Sequence, residues 1–185
     1  MALTKTPVCD FGKKAENFKL KSINNKVITL NDIKGEKATL IMFICNHCPY
    51  VKAIIKDLAK DCNELKKDGI SSVAIMSNDT KNYPEDSFDN MMKFAESNNF
   101  RNINYLFDET QEIAKKYGAV CTPDFFGYNR NLELQYRGRF KELKDLKPIN
   151  NGDSDLKIAM KMVAQTQKGP DQQIPSMGCN IKWFN

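Results

Sequence analysis

An α/β fold with a mixed central sheet is predicted by three features of this 185-residue sequence. The continuous apolar run ATLIMFI at 38–44 reads as a strand buried on both faces. The next segment switches to helical period, and ISSVAIMSN at 70–78 then restores a strand. Strand, helix and strand within ~35 residues form a βαβ unit. Finally, strand patterns on either side of Asn129-Arg130-Asn131 predict an antiparallel hairpin. The sheet is therefore expected to be parallel at its start and antiparallel at its end.

Taken in order, residues 1–16 carry polar residues with Gly and Pro punctuation and read as a surface lead-in. Phe18 and Leu20, then Val27, Ile28 and Leu30, alternate around Ile23-Asn24-Asn25-Lys26 and predict an N-terminal β-hairpin, closed by Gly35. After the strand at 38–44, Val51, Ile54, Ile55, Leu58, Cys62 and Leu65 fall at helical spacing over 49–67. Pro49 suits a first helical turn, where its missing N–H costs nothing, and Gly69 suits a C-terminal stop. Pro84, Glu85 and Asp86 predict the start of a helical insertion over 85–97, with Phe88, Met91, Met92 and Ala95 as its apolar face. INYLFD is a short strand, and ETQEIAKKYG a short helix ended by Gly118. Strands follow near 124–128 and 132–137. A last helix at 153–168 is expected to bury Leu156, Ile158, Ala159, Met162 and Val163. A polar tail leads to MGCNIKWFN, where Trp183 is expected to dock the tail on the domain. With no internal repeat and no linker, residues 1–185 read as a single domain.

The composition narrows the function. The chain is 41% hydrophobic and 28% charged, the balance of a soluble globular protein. Its net charge of +5 is scattered, with no basic stripe interleaved with aromatics, so no nucleic-acid partner is expected. No segment approaches the ~20 apolar residues of a membrane span, and the N-terminus lacks the apolar stretch of a signal peptide. A cytoplasmic location is expected, with no membrane partner. Cytosolic thiols are kept reduced, so a C-x-x-C there is catalytic or metal-binding more often than a structural staple.

That motif is Cys45-Asn46-His47-Cys48, and His47 is the only histidine of the chain. It lies between the carboxyl end of the apolar strand and the amino end of the following helix, where open α/β sheets place their chemistry. Helix N-terminal N–H groups favour a thiolate over a thiol. A protonated His47 would add to this, and a neutral one could accept a proton. Three readings compete: a redox pair, two buried small hydrophobes, or a metal site. A metal could take Cys45, Cys48 and His47, with Cys121 or Cys179 completing the set through folding. Adjacent His47 and Cys48 fit one tetrahedral ion poorly, and there is no second C-x-x-C, so no metal is expected.

The strand–CxxC–helix arrangement, followed far downstream by CTPDFF, resembles the thioredoxin superfamily. The segment from Phe18 to Cys45 and the insertion at 85–97 resemble the alkyl hydroperoxide reductase/redoxin branch. ICNHCPYVKA, SNDTKNYPEDS, TPDFF and PSMGCNIKW together are similar to bacterial thioredoxin-like redoxins carrying C-N-H-C. The likeness covers about residues 15–184. It implies a thioredoxin-like fold and a thiol–disulfide oxidoreductase with no bound cofactor. Cys45 is then the attacking thiolate, with the lowest pKa of the thiols, and Cys48 the resolving thiol. His47 tunes the pair. Asn46, Thr122 and Pro123 face the substrate, and the Thr122–Pro123 bond is cis. The implied partner is a disulfide- or dithiol-bearing protein or a small thiol. Thioredoxin itself has Trp before the motif and Gly-Pro inside it, where this chain has Ile44, Asn46 and His47. A histidine before the second cysteine resembles strongly oxidising enzymes. It implies a less reducing couple than thioredoxin's, which is about −270 mV. A peroxiredoxin-like peroxidase is the alternative, although Met42 and Cys45 stand where peroxidases carry Thr or Ser. Antioxidant activity is implied by the same branch.

The remaining thiols read more plainly. Cys62 lies on the apolar helix face and is expected in the core. Cys9 sits in the lead-in with no role assigned. Cys121 and Cys179 are candidates for additional thiols near the pair. Tyr50, Asn78, Asp79 and Tyr83 follow strand or motif ends and could line the cleft, with a turn as the other reading for Asn78-Asp79.

Overall fold

The computed structural model describes residues 3–184. It begins with a short strand, β1 (Leu3–Lys5), then the hairpin β2 (Lys19–Ser22) and β3 (Val27–Thr29). One helical turn, α1 (Leu30–Ile33), leads into β4 (Ala38–Phe43) and the long helix α2 (Pro49–Leu65). β5 (Ile70–Met76), α3 (Phe88–Ser97), β6 (Ile103–Phe107) and α4 (Glu112–Tyr117) follow. The chain continues through β7 (Cys121–Thr122), β8 (Asp124–Asn129) and β9 (Leu134–Tyr136). A small hairpin, β10 (Leu143–Lys144) and β11 (Lys147–Pro148), precedes α5 (Asp155–Thr166) and β12 (Met177–Asn180).

Seven strands form the main sheet in the order β3-β2-β6-β5-β4-β8-β9. β4 pairs in parallel with β5, and β5 with β6, while β8 runs antiparallel to β4. This is the mixed α/β sheet expected from the sequence. β4 lies in its middle, which explains the unbroken apolar run. Leu40 and Met42 face one core, packed by α2 and α5, while Ile41 and Phe43 face the other, packed by α1 and α4. Each such side chain contributes roughly 1.5–3 kcal/mol on burial.

β4 ends one step before the CxxC loop, and Pro49 opens α2 with Cys48 as its N-cap. Gly69 adopts φ 77° and stops the helical segment, as its position predicts.

Several expectations need correction. The lead-in is not free: β1 pairs with β12, which in turn pairs with β7. Leu30 begins α1 rather than extending the hairpin, because Thr29 caps that turn in a reciprocal box with Asp32. Pro84–Asp86 forms a separate 3-10 turn, and the helix starts only at Phe88. Met92 is exposed; Met91 and Ala95 carry the contact. On α5, Ile158 and Met162 face solvent, and the buried side is Leu156, Lys157, Ala159, Met160, Val163 and Ala164. Lys157 overrides the hydrophobic pattern because its ammonium bonds Glu64 and Asp153 from beneath the helix surface. Trp183 is 37% exposed with Lys115 over its ring. The tail is held instead by backbone bonds: Asn78 Oδ1 accepts from Lys182 N–H at 2.9 Å, and Gln111 Oε1 from Phe184 N–H at 2.8 Å.

Candidate active site

The CxxC loop leaves the end of β4 and is gripped from the side by one carboxylate. Asp86, from the 3-10 turn before α3, is fully buried. Its Oδ1 accepts the backbone N–H groups of Asn46 at 2.8 Å and His47 at 3.3 Å. Its Oδ2 accepts Asn78 Nδ2 at 2.8 Å and pairs with His47 Nδ1 at 2.7 Å. A carboxylate offers about four lone-pair sites, and here all are used. Asn46 is pinned at both ends of its side chain: its amide donates to the Glu85 carbonyl at 3.1 Å, and its carbonyl accepts from Tyr105 Oη at 2.9 Å.

The Asp86 hydrogen bond raises the His47 pKa, against the opposing effect of burial. The His47 ring is further covered by Tyr83, stacked at 5.6 Å between ring centroids. His47 Nδ1 lies 3.9 Å from Cys45 Sγ. That nitrogen is already committed to Asp86, so Cys45 meets a histidine–carboxylate pair rather than a free imidazole.

The opposite wall is the Thr122–Pro123 segment, whose peptide bond is cis, as expected. Thr122 contacts both thiols: its hydroxyl lies 3.3 Å from Cys45 Sγ, and its carbonyl oxygen accepts from Cys48 Sγ at 3.1 Å. Behind it, Asp124 Oδ2 accepts from Val120 N–H and from Arg137, whose guanidinium also bonds the Gly118 carbonyl. Arg137 lies 4.4 Å over the Phe126 ring. This buried pair fixes the start of β8 and so the position of Thr122.

The two sulfurs divide their protons unequally. Cys48 is lowered to about 5 by the hydrogen bond from the Cys45 thiol, aided by the Val51 N–H of the first turn of α2 and by Cys179, which contributes both its thiol and its N–H. Cys45 is pushed well above the ordinary thiol range by its bond to Cys48, by burial and by Asp86. Within the pair Cys48 is thus shifted toward the thiolate and Cys45 toward the thiol, against the expected order, while the Cys48 S–H donated to the Thr122 carbonyl favours a proton on Cys48. Position contributes: Cys48 is the N-cap residue of α2, where the helix N-terminus favours negative charge, while the Thr122 hydroxyl is the group that favours the Cys45 thiolate.

Cys121 and Cys179 separate cleanly. Cys179 stands opposite Thr122 in the β7–β12 ladder, and Cys121 opposite Asn180. Cross-strand neighbours share a face, and successive residues alternate. Thr122 and Cys179 thus face the thiol pair, while Cys121 turns away and donates to the Pro123 carbonyl at 3.5 Å. Cys62 is buried in the core, where burial raises its pKa to about 12. Cys9 is raised to about 11, chiefly by burial. Tyr50 and Pro123 line a groove of about 500 Å³ beside the site, with Arg139, Leu146, Ile174 and Met177. Asp79 makes a turn, accepting the Lys81 N–H at 2.9 Å.

Sequence reasoning missed Asp86 and Tyr105. A carboxylate before a helix resembles an N-terminal charge, and nothing local shows that its partners lie some forty residues earlier. Cys45 Sγ, His47 and Asp86 offer ligand atoms within 4.8 Å of one another. The Asp86 lone pairs are filled by N–H donors, so this group is built as a hydrogen-bonded clamp rather than a cation site.

Residues 11–140 match the model of the AhpC/TSA family. The chain belongs to that family. This redoxin also has full-length structural relatives. An uncharacterized conserved protein from Geobacillus kaustophilus is 41% identical, with a TM-score of 0.89 over 100% of this chain and 97% of that one. A hypothetical protein from Sinorhizobium meliloti is 36% identical, with a TM-score of 0.90 over 98% of each chain. A secreted disulfide oxidoreductase of Mycobacterium tuberculosis is 18% identical, with a TM-score of 0.54 over 64% of this chain and 80% of that one. It shares the fold. None of the curated proteins matches the sequence. The redoxin is thus a thioredoxin-fold protein of the oxidoreductase kind. Among its described residues, no helix is long and apolar enough to cross a membrane.

Proposed function

We propose that this redoxin is a thiol–disulfide oxidoreductase working through a Cys45–Cys48 dithiol/disulfide, without a bound cofactor. The observation that carries this reading is that one residue, Thr122, contacts both sulfurs at the end of the central strand. Cys45 is the sulfur that meets the substrate, beside the half-buried His47 at the surface of the loop. Cys48 is its internal base: the resting thiolate takes the Cys45 proton as Cys45 attacks a substrate disulfide. One substrate sulfur leaves as a thiolate and is protonated from solvent. Cys48 then attacks Cys45, its proton passing to the departing substrate sulfur, which leaves as a thiol and leaves the Cys45–Cys48 disulfide behind. The groove beside Pro123, with an apolar floor and Arg139 at its edge, suits a polypeptide segment of a disulfide- or dithiol-bearing partner. Such exchange fits the reducing cytoplasm.

A thiol peroxidase with Cys48 as the reacting sulfur is the second reading, favoured by its lowered pKa and the family match. Trapping separates the two. Cys48→Ser is expected to accumulate reductant-sensitive complexes through Cys45. Cys45→Ser is expected to trap none and to lose reduction of a test disulfide. Rapid stoichiometric sulfenic acid at Cys48, persisting in Cys45→Ser, would establish the peroxidase instead.

A further inference from the structure

We propose that Cys179 is a third redox thiol, which draws Cys48 into a second disulfide and frees Cys45. The inference rests on the proposed Cys45–Cys48 chemistry and extends it by one step. Its basis is the placement of β12. Cys179 is the cross-strand neighbour of Thr122, on the face that Thr122 turns to the thiol pair. It is 5% exposed and belongs to the same packed cluster as Cys45 and Cys48. Its thiol and its N–H are both among the groups that lower the Cys48 pKa, consistent with β12 lying beside that sulfur. Cys48 thus shares one packed cluster with two other thiols, Cys45 from its own loop and Cys179 from β12.

Gly178 makes this approach possible. A Cβ there would lie 2.0 Å from the Thr122 carbonyl oxygen and 3.1 Å from Pro123 Cδ. Only a glycine lets β12 press against the Thr122–Pro123 segment closely enough to deliver the next side chain to Cys48. Cys121, next to Thr122 in sequence, is turned away by the pleat.

The step balances without any outside oxidant. In the oxidised protein the Cys179 sulfur attacks Cys48, forming the Cys48–Cys179 bond and breaking Cys45–Cys48. Cys45 leaves as a thiolate and takes the proton that Cys179 gives up. One disulfide and one thiol are present before and after. In the resting dithiol, burial and the Cys48 thiolate keep Cys179 protonated. Oxidation of Cys48 removes the charge beside Cys179 and so one of the causes that keep it protonated, while burial remains. The product holds the oxidising equivalent in the interior and returns Cys45 to the free state beside His47.

Disulfide mapping tests this on the full chain. Protein oxidised in a glutathione redox buffer is quenched in acid, its free thiols are labelled, and the linked peptides are identified by mass spectrometry. We expect two populations, one linked Cys45–Cys48 and one linked Cys48–Cys179 with Cys45 labelled. Cys179→Ser should lose the second population entirely and keep the first. Cys45→Ser treated with diamide should yield the Cys48–Cys179 link alone. Oxidised wild type that is linked only Cys45–Cys48, with Cys179 labelled throughout, would sink this inference while leaving the proposed function intact. So would a natively folded Cys45→Ser whose Cys48 and Cys179 both stay free under diamide. Absence of any Cys45–Cys48 link would instead sink the proposed function.

Discussion

Cys48 and Cys62 sit near opposite ends of one helix, both at most 1% exposed, yet their thiols are driven in opposite directions. Cys62 is raised to about 12, chiefly by burial, and Cys48 is lowered to about 5. Burial alone disfavours the charged form. What reverses it at Cys48 is a set of donors aimed at one sulfur: a thiol from the same loop, an N–H from the first helical turn and a strand from the far end of the chain. Position on the helix supplies only part of this. The rest depends on tertiary structure that places Cys179 and Cys45 in contact with the same atom.

The largest expected difference is in reactivity. At pH 7, alkylation of the folded protein should modify Cys48 at least about a hundredfold faster than Cys62, since the thiolate is the reacting form. Site-resolved mass spectrometry over a time course reads both rates at once. Comparable rates would break the comparison and show that Cys48 is no more ionised than a core thiol.

A smaller effect is expected at the clamp, which has no counterpart around Cys62. With a single histidine in the chain, the His47 ring protons can be followed by NMR without assignment. Their midpoint should lie above the ordinary ~6.5, and Asp86→Asn should bring it back down, because the Asp86 bond is the main cause of the rise. The sign for stability follows. A raised folded-state pKa contributes stability that is fully present below the unfolded value and is lost as pH climbs through the folded one. Denaturant midpoints across pH should therefore fall over that window in the wild type and stay flatter in Asp86→Asn. An unshifted histidine would mean that His47 is not held by Asp86.

The smallest effect should come from the other end of the helix. The Ser72 hydroxyl is the polar group facing Cys62, and it is buried without a hydrogen bond of ordinary geometry. Ser72→Ala should change stability by less than about 1 kcal/mol, because it removes a buried polar group that is poorly satisfied. A large loss on chemical denaturation would show that the Cys62 surroundings are more polar than they look.

The strength of a local pattern decided what could be read in advance. β4 and α2 were legible because six apolar residues in a row and a clean helical period leave few alternatives. The CxxC at their junction, and Thr122 and Pro123 opposite, followed from that frame. Met92, Ile158 and Met162 were misplaced because apolar residues flank the true buried stripe of each helix, and a short helix fixes its rotation only through packing. β1 and β12 carry three and four residues with no marked alternation, and each finds its partner across most of the chain. Asp86 was invisible for a related reason. Its charge reads locally as a helix start, while its work is done on the Asn46-His47 backbone. The shifts of the two thiols were hidden on the same ground, because the groups that cause them include residue 179 as well as the helix.

The β1–β12–β7 sheet has a consequence for the life of the chain on the ribosome. Its central strand joins residues near 4 and near 122 through residues near 178. Synthesis runs at about 5–20 residues per second, so the CxxC loop waits on the order of ten seconds for β12 to emerge. For that interval the nascent protein carries the Cys45–Cys48 pair with neither its last strand nor its third thiol in place. The order of translation therefore keeps the site unfinished until residues 177–180 have emerged to enclose it.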